Sequence, residues 1–206
     1  MERTIKNRKA NMKTDYIDKS AGVSGGQAFD IRDWVEKGLS WGKYLSECKE
    51  NVNRMSNIFR QLSVPKETID FLRAKDVLTI VCIAEDWCPD CAQNVPLIAK
   101  LAEALPSTDL RLFFRDRNEK LMDHYLTNGK RVVPTAVFFD SKLNEMGKWA
   151  GPSRKAKVWT LETLVKGRKI ADIPQEERER FGELYDEKFL SEFLNDSLSE
   201  IKALLS

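Results

Sequence analysis

The chain has 206 residues, of which 42% are hydrophobic and 32% charged, with 34 basic residues against 32 acidic ones. This size predicts one core domain with extensions, and the near-neutral charge gives no reason to expect nucleic acid or an anionic membrane as partner. No stretch approaches the ~18 consecutive apolar residues of a membrane span, and no apolar segment follows the basic start, so we expect a cytoplasmic protein.

The first 75 residues divide into a tail and a helical extension. Residues 1–28 carry charges and the glycine-rich run "SAGVSGGQA" without apolar periodicity, which predicts a mobile tail. Residues 29–75 are predicted to form helices packed on the core. Apolar residues in steps of four and three predict one long helix, and they are Trp41, Leu45, Cys48, Val52, Met55, Phe59 and Leu62. The same spacing would suit a dimerising coiled coil, the alternative to packing on its own domain.

Residues 76–167 read as alternating strands and helices. The continuous apolar run at 76–84 predicts a central strand covered on both faces, and 109–114 and 135–140 predict two more. Residues 144–150 look like a hairpin partner of the third strand. Helices are predicted after the first strand, at 118–129 and at 153–167. This order predicts an α/β fold around a mixed, largely parallel sheet with crossover helices.

Residues 168–206 are predicted to form a C-terminal helical extension. A helical run opens at Pro174, and its apolar residues recur at helical spacing as far as Ile201. An interruption is expected at residues 195–197, where polar residues follow one another.

The stretch "VCIAEDWCPDC" at 81–91 holds three of the four cysteines. A cysteine at the start of a helix lies beside unpaired N–H groups and the positive end of the helix dipole, which stabilise a thiolate. Cys88 is therefore the predicted nucleophile, and Cys91, one turn later, can attack the resulting mixed disulfide. Zinc binding is the alternative, but it usually needs four ligands, and only Cys82, Cys48 and His124 remain as candidates.

"EDWCPDC" after a buried strand, Pro96 within the next helix and "RVVPT" before a later strand resemble the thioredoxin family over about residues 76–165. The "WCPDC" motif and the preceding helices are also similar to a branch of bacterial thioredoxin-like proteins. The resemblance implies that Trp87 flanks the nucleophile and that Pro134 is a cis-proline facing the disulfide. It also implies that the Val133 backbone binds an extended substrate segment.

The sequence departs from the family where many thioredoxins have a buried aspartate, six residues before the first motif cysteine. Cys82 occupies that position. Glu85, Asp86 and Asp90 are the candidates for proton transfer or for tuning the thiol pKa values. Asp90 suits the helix dipole, yet its charge disfavours the Cys88 thiolate. Cys82 itself is either a small apolar filler of the core or a third thiol able to exchange disulfides with Cys91.

The resemblance implies a thiol–disulfide oxidoreductase that reduces protein or small-molecule disulfides through Cys88 and Cys91. Its electrons would come from a reductase or a low-molecular-weight thiol, and no metal or cofactor is expected beyond the redox-active disulfide itself. The alternative is a non-catalytic thioredoxin-like module that docks a partner or holds a metal at the cysteine site.

Overall fold

A computed structural model describes residues 29–206, so the tail predicted at 1–28 lies outside the described residues. The centre is a four-stranded sheet with the order β2-β1-β3-β4. Its strands are β1 (Thr79–Ala84), β2 (Asp109–Phe114), β3 (Thr135–Phe139) and β4 (Glu145–Ala150). All six residues of β1 are buried, which confirms that the first predicted strand is central.

Helices precede, connect and follow these strands. Within residues 29–206 the α-helices are α1 (Arg32–Val35), α2 (Trp41–Glu47), α3 (Val52–Gln61), α4 (Lys66–Ala74), α5 (Pro89–Ala104), α6 (Glu119–His124), α7 (Arg154–Thr160), α8 (Gln175–Lys188) and α9 (Leu194–Leu204). Wider π-helical turns follow α7 at Leu161–Val165 and α8 at Phe189–Phe193. None of these helices combines the length and the apolar character that crossing a membrane requires.

The sheet is mixed, as predicted, but only β1 and β2 run parallel, whereas β3 is antiparallel to both β1 and β4. The 16 residues of α5 return the chain to the start of the sheet between β1 and β2. The six residues of α6 span about 9 Å, less than half the ~20 Å length of a six-residue strand. The chain therefore enters β3 at the end where β2 finished, and the expectation of a largely parallel sheet is wrong.

The single helix predicted over residues 41–62 is divided into α2 and α3. Asn51 adopts a left-handed conformation with φ 55° at the break. The carboxylate of Asp86 accepts hydrogen bonds from the backbone N–H groups of Lys49 at 2.6 Å and Glu50 at 3.2 Å. The Asn51 side chain donates to the Asp86 carbonyl at 2.7 Å. These bonds satisfy the interrupted backbone, so the break is fixed by the loop that precedes Cys88.

The terminal helices complete one hydrophobic core. The long helix α3 packs against α5, and α9 packs against β4 and α4. In the C-terminal run the irregular turn falls at Phe189–Phe193, where both phenylalanines are buried, and not at residues 195–197, which lie inside α9. The division into a core at 76–167 with extensions on either side stays a prediction.

Candidate active site

Cys88 lies where the chain passes from β1 into α5. It is the N-cap residue of α5 with an extended backbone, and Pro89 follows at the first helical position. Proline suits this position because its missing N–H would have no partner within the helix. Only 7% of Cys88 is exposed. The sulfur therefore sits in a largely buried pocket at the positive end of a 16-residue helix.

The two motif thiols have opposite electrostatic environments. A hydrogen bond involving the Cys91 thiol is the largest influence on Cys88 and lowers its pKa, while burial and the Asp90 charge act against it. Burial raises the pKa of Cys91 well above its ordinary value, and the Glu85 backbone N–H donates to the Cys91 sulfur at 3.4 Å. All four cysteines are free thiols. Cys88 is thus the easier thiol to ionise, and Cys91 holds its proton.

The loop before β3 brings Val133 and Pro134 to Cys88. The Cys88 thiol lies 3.7 Å from the Val133 carbonyl oxygen, at the distance of a sulfur hydrogen bond. The Val133–Pro134 peptide bond is cis, which is the state that the family resemblance implies. The Pro134 carbonyl accepts from the Gly151 N–H at 2.7 Å, so this loop is anchored to the end of β4.

Trp87 marks the outer rim of the site. It is 43% exposed, unusual for a large aromatic side chain, and it immediately precedes Cys88. The Arg115 guanidinium lies 4.9 Å from its ring centre in cation–π geometry, and Asp116 forms an ion pair with that guanidinium at 2.8 Å. The sequence reasoning missed Arg115, because its partner lies 28 positions away in the chain.

The three acids proposed from the sequence occupy three different environments. Glu85 is buried, its Oε1 accepts from the Asp116 N–H at 2.7 Å, and burial raises its pKa. The Asp86 carboxylate is engaged by the N–H groups of Lys49 and Glu50 at the helix break. Burial raises the pKa of Asp90 to about 6, against the charges of Arg54 and Lys157. Of the three, Glu85 is the residue whose backbone N–H contacts the Cys91 sulfur, while its carboxylate faces the Asp116 N–H.

A small cavity of about 170 Å³ lies beside Glu85. Side chains from the N-terminal extension, the motif loop and the end of β2 line it, and they are Glu47, Lys49, Glu85, Asp86, Phe114, Asp116 and Arg117. Arg117 bridges to Glu47 at 2.6 Å across one wall. A polar cavity of this volume has room for several water molecules, so Glu85 faces a space through which protons could exchange.

The remaining candidates from the sequence lie in two different surroundings. Cys82 is fully buried in β1, within electrostatic reach of Cys91, and burial raises the pKa of its thiol to about 12. Disulfide exchange between Cys82 and Cys91 stays a prediction. His124 stacks on Phe29 with ring centres 3.6 Å apart, at the end of α6. Across residues 29–206, no three His, Cys, Asp or Glu side chains are arranged to hold a metal ion.

Tyr44 of α2 is a buried aromatic residue that the sequence reasoning overlooked. It is fully buried, and its ring stacks on Phe114 with ring centres 4.5 Å apart. Its spacing of three residues after Trp41 and four before Cys48 places it within the apolar stripe of the N-terminal helices.

A family model described as thioredoxin matches residues 38–165, more than half of the chain. The matched region begins before α2, so it includes three of the helices that precede β1, namely α2, α3 and α4. No curated protein matches the chain.

Two solved structures share the fold. The crystal structure of a protein of unknown function from Pseudomonas aeruginosa has a TM-score of 0.59 and 14% sequence identity, covering 85% of this chain and 99% of that one. An HIV epitope scaffold has a TM-score of 0.58, the same identity and the same coverage. At this level of identity the similarity establishes the fold alone.

Proposed function

The chain belongs to the thioredoxin family, and from this premise we propose that it is a thiol–disulfide oxidoreductase that reduces disulfides through Cys88 and Cys91. One observation carries the proposal: an N-cap thiol with a lowered pKa lies next to a buried thiol that keeps its proton. A dithiol reductant needs one thiolate that can attack the substrate disulfide. It also needs a second thiol that stays protonated until the mixed disulfide has formed.

The reaction proceeds in two balanced exchanges. The Cys88 thiolate attacks one sulfur of the substrate disulfide, the substrate S–S bond breaks, and the first substrate thiolate leaves and is protonated. Cys91 then loses its proton and attacks the Cys88 sulfur. The Cys88–Cys91 disulfide forms as the second substrate thiolate leaves, so the substrate gains two electrons and the protein loses two.

Separate groups position the substrate and move the proton. Trp87 offers an exposed apolar surface beside the nucleophile, and the Val133–Pro134 segment offers backbone to an extended substrate, a form of strand addition. Glu85 accepts the proton of Cys91, since it is buried, bonded to Cys91 through its backbone and open to the side cavity. Asp86 fixes the loop, and Asp90 tunes the Cys88 thiolate.

The substrate is a protein or small molecule that carries a disulfide. A reductase or a low-molecular-weight thiol returns the two electrons to the Cys88–Cys91 disulfide. Four cysteines in 206 residues are far fewer than a disulfide-stabilised secreted domain carries, so we place the activity in a reducing compartment, the cytoplasm.

Reduction of insulin disulfides in the presence of dithiothreitol tests the proposal. The wild-type chain should precipitate the insulin B chain faster than dithiothreitol alone, and Cys88→Ser should abolish the acceleration because serine cannot form the mixed disulfide. Cys48→Ser, which removes a thiol outside the motif, is the matched control and should stay active. A wild-type chain without acceleration would contradict the proposal and favour a non-catalytic binding module.

A further inference from the structure

A 3-10 helical turn, Arg115–Arg117, follows β2 and is bonded to the loop that precedes the first motif cysteine. The Asp116 N–H donates to the Glu85 carboxylate at 2.7 Å. The Asn118 N–H closes the turn by donating to the Arg115 carbonyl at 3.1 Å. The first residue of the turn therefore extends from a backbone that is fixed relative to the motif loop.

The Arg115 side chain lies against the Trp87 ring and has little contact with solvent. Its guanidinium is 4.9 Å from the ring centre, and the side chain is only 20% exposed, although arginine is usually a well-exposed residue. Its Nε and Nη2 both bond to the same carboxylate oxygen of Asp116, each at 2.8 Å. Asp116 thus balances the charge and orients the guanidinium, so the contact with the ring is held from both sides of the arginine.

The exposed part of this arrangement is the Trp87 ring. Trp87 is 43% exposed, whereas the neighbouring Cys88 is almost wholly buried. A large substrate that brings a disulfide to the Cys88 sulfur therefore covers the indole as it docks. A side chain that is free before docking loses its conformational freedom on docking, and one that is already held loses less. Fixing the ring favours the binding of such a substrate without changing the sulfur.

We propose that Arg115 is a positioning residue that holds the Trp87 ring as a docking surface for protein disulfides. The inference rests on the proposed reductase function and adds the substrate class that the site favours. The indole lies at the rim of the pocket that contains Cys88. A protein segment that extends beyond its disulfide covers this rim, whereas a small disulfide reaches the sulfur without contacting the whole ring. Arg115 therefore affects the binding of protein substrates and not the exchange of disulfides.

The test measures insulin reduction by the full chain over a range of insulin concentrations, with dithiothreitol as the reductant. Arg115→Ala should raise KM for insulin about three- to fivefold and leave kcat unchanged, as expected for losing a cation–π contact near the surface. Oxidation of the reduced variant by bis(2-hydroxyethyl) disulfide, a small uncharged disulfide, should proceed at the wild-type rate. Lys37→Ala is the matched control, because it removes a cation 5.5 Å from the ring centre of another tryptophan, Trp34 of α1. It should keep the wild-type KM.

A double-mutant cycle distinguishes a residue that acts through Trp87 from one that contacts the substrate itself. Adding Arg115→Ala to Trp87→Ala should leave KM at the value of Trp87→Ala alone, because the ring that Arg115 holds is already missing. Increases in KM that multiply in the double variant would overturn the inference. So would a wild-type KM in Arg115→Ala, or a slower reaction of that variant with the small disulfide. A wild-type chain that does not accelerate insulin reduction would instead overturn the proposed reductase, and the inference with it.

Discussion

The charge of Asp90 has opposite effects on its own helix and on the Cys88 thiolate. It lies in the first turn of α5, where a negative charge is favourable, but it is also close enough to Cys88 to raise the pKa of that thiol. Because burial raises the pKa of Asp90 itself to about 6, its charge is present above pH 6 and disappears below it. The reactivity of Cys88 should therefore respond to the protonation of its neighbour.

Asp90→Asn should make Cys88 more reactive, and the gain should depend on pH. Removing the charge lowers the Cys88 pKa, so alkylation by iodoacetamide at pH 7 should be roughly three- to tenfold faster than in the wild type. Near pH 5 the wild-type Asp90 is itself neutral, so the two rates should converge. Glu103→Gln, an exposed acid on the same helix, is the control and should match the wild type throughout. A rate ratio that stays constant from pH 5 to pH 8 would contradict this.

Residue roles could be predicted where they depend on local sequence. The spacing of Cys88 and Cys91 at a helix start predicts the difference between the two thiols, because dipole and burial follow from position in the helix. The role of Asp86 could not be predicted, since its donors lie 36 and 37 residues earlier at a helix break that apolar periodicity conceals.

At the scale of elements, the N-terminal extension is attached to the edge of the sheet through a short bridge. Leu39 and Leu112 exchange two backbone hydrogen bonds of 2.8 Å, which covers part of the outer edge of β2. The preceding Gly38 permits this approach. A Cβ at Gly38 would lie 2.5 Å from the Arg111 Cβ and 2.9 Å from the Phe113 ring, closer than packed atoms allow.

Gly38→Ala should therefore loosen the extension and destabilise the chain. The new methyl group meets backbone-proximal atoms that cannot move aside, so we expect a loss of about 1–3 kcal/mol in the free energy of unfolding. Gly42→Ala is the matched control, because a Cβ at Gly42, inside α2, would meet nothing within 4 Å. That change should be neutral or stabilising by roughly 0.5–1 kcal/mol. Urea unfolding compares the two, and a similar loss in both variants would contradict the packing argument.

The positions of the strands were largely predictable from the sequence, but their relative directions in the sheet were not. The continuous apolar run of β1 and the positions of β2, β3 and β4 agree with the sequence pattern to within a few residues. The alternation of strand and helix suggested crossovers throughout, whereas α6 is too short to make one. Strand direction depends on the length of the connecting helix. The periodicity over residues 118–129 predicted a helix of twelve residues, whereas α6 has six.

At the scale of the whole molecule, both terminal extensions meet at the motif helix. The Arg54 guanidinium of α3 binds both carboxylate oxygens of Asp186 in α8 at 2.7 Å. The Gln93 side chain of α5, two residues after Cys91, donates to the same carboxylate at 2.6 Å. The Arg54 and Asp186 side chains are only 22% and 26% exposed. One carboxylate thus joins α3 and α5, which lie within the matched family region, to α8, which follows it.

Asp186→Asn should destabilise the fold more than its position in a terminal helix suggests. The change keeps the shape but removes the charge, leaving a mostly buried guanidinium without its counter-ion and with weaker hydrogen bonds. We expect a loss of about 1–3 kcal/mol in the free energy of unfolding, measured by urea denaturation.

Glu176→Gln is the control on the same helix. Glu176 forms an ion pair with Arg180, and the side chains of Arg180 and Glu176 are 77% and 75% exposed. Exposed pairs contribute little, so this variant should unfold like the wild type. Equal urea midpoints for both variants would show that the Asp186 contacts add no measurable stability. A lower free energy of unfolding in Asp186→Asn alone would show that α8 stabilises α5, the helix that follows Cys88.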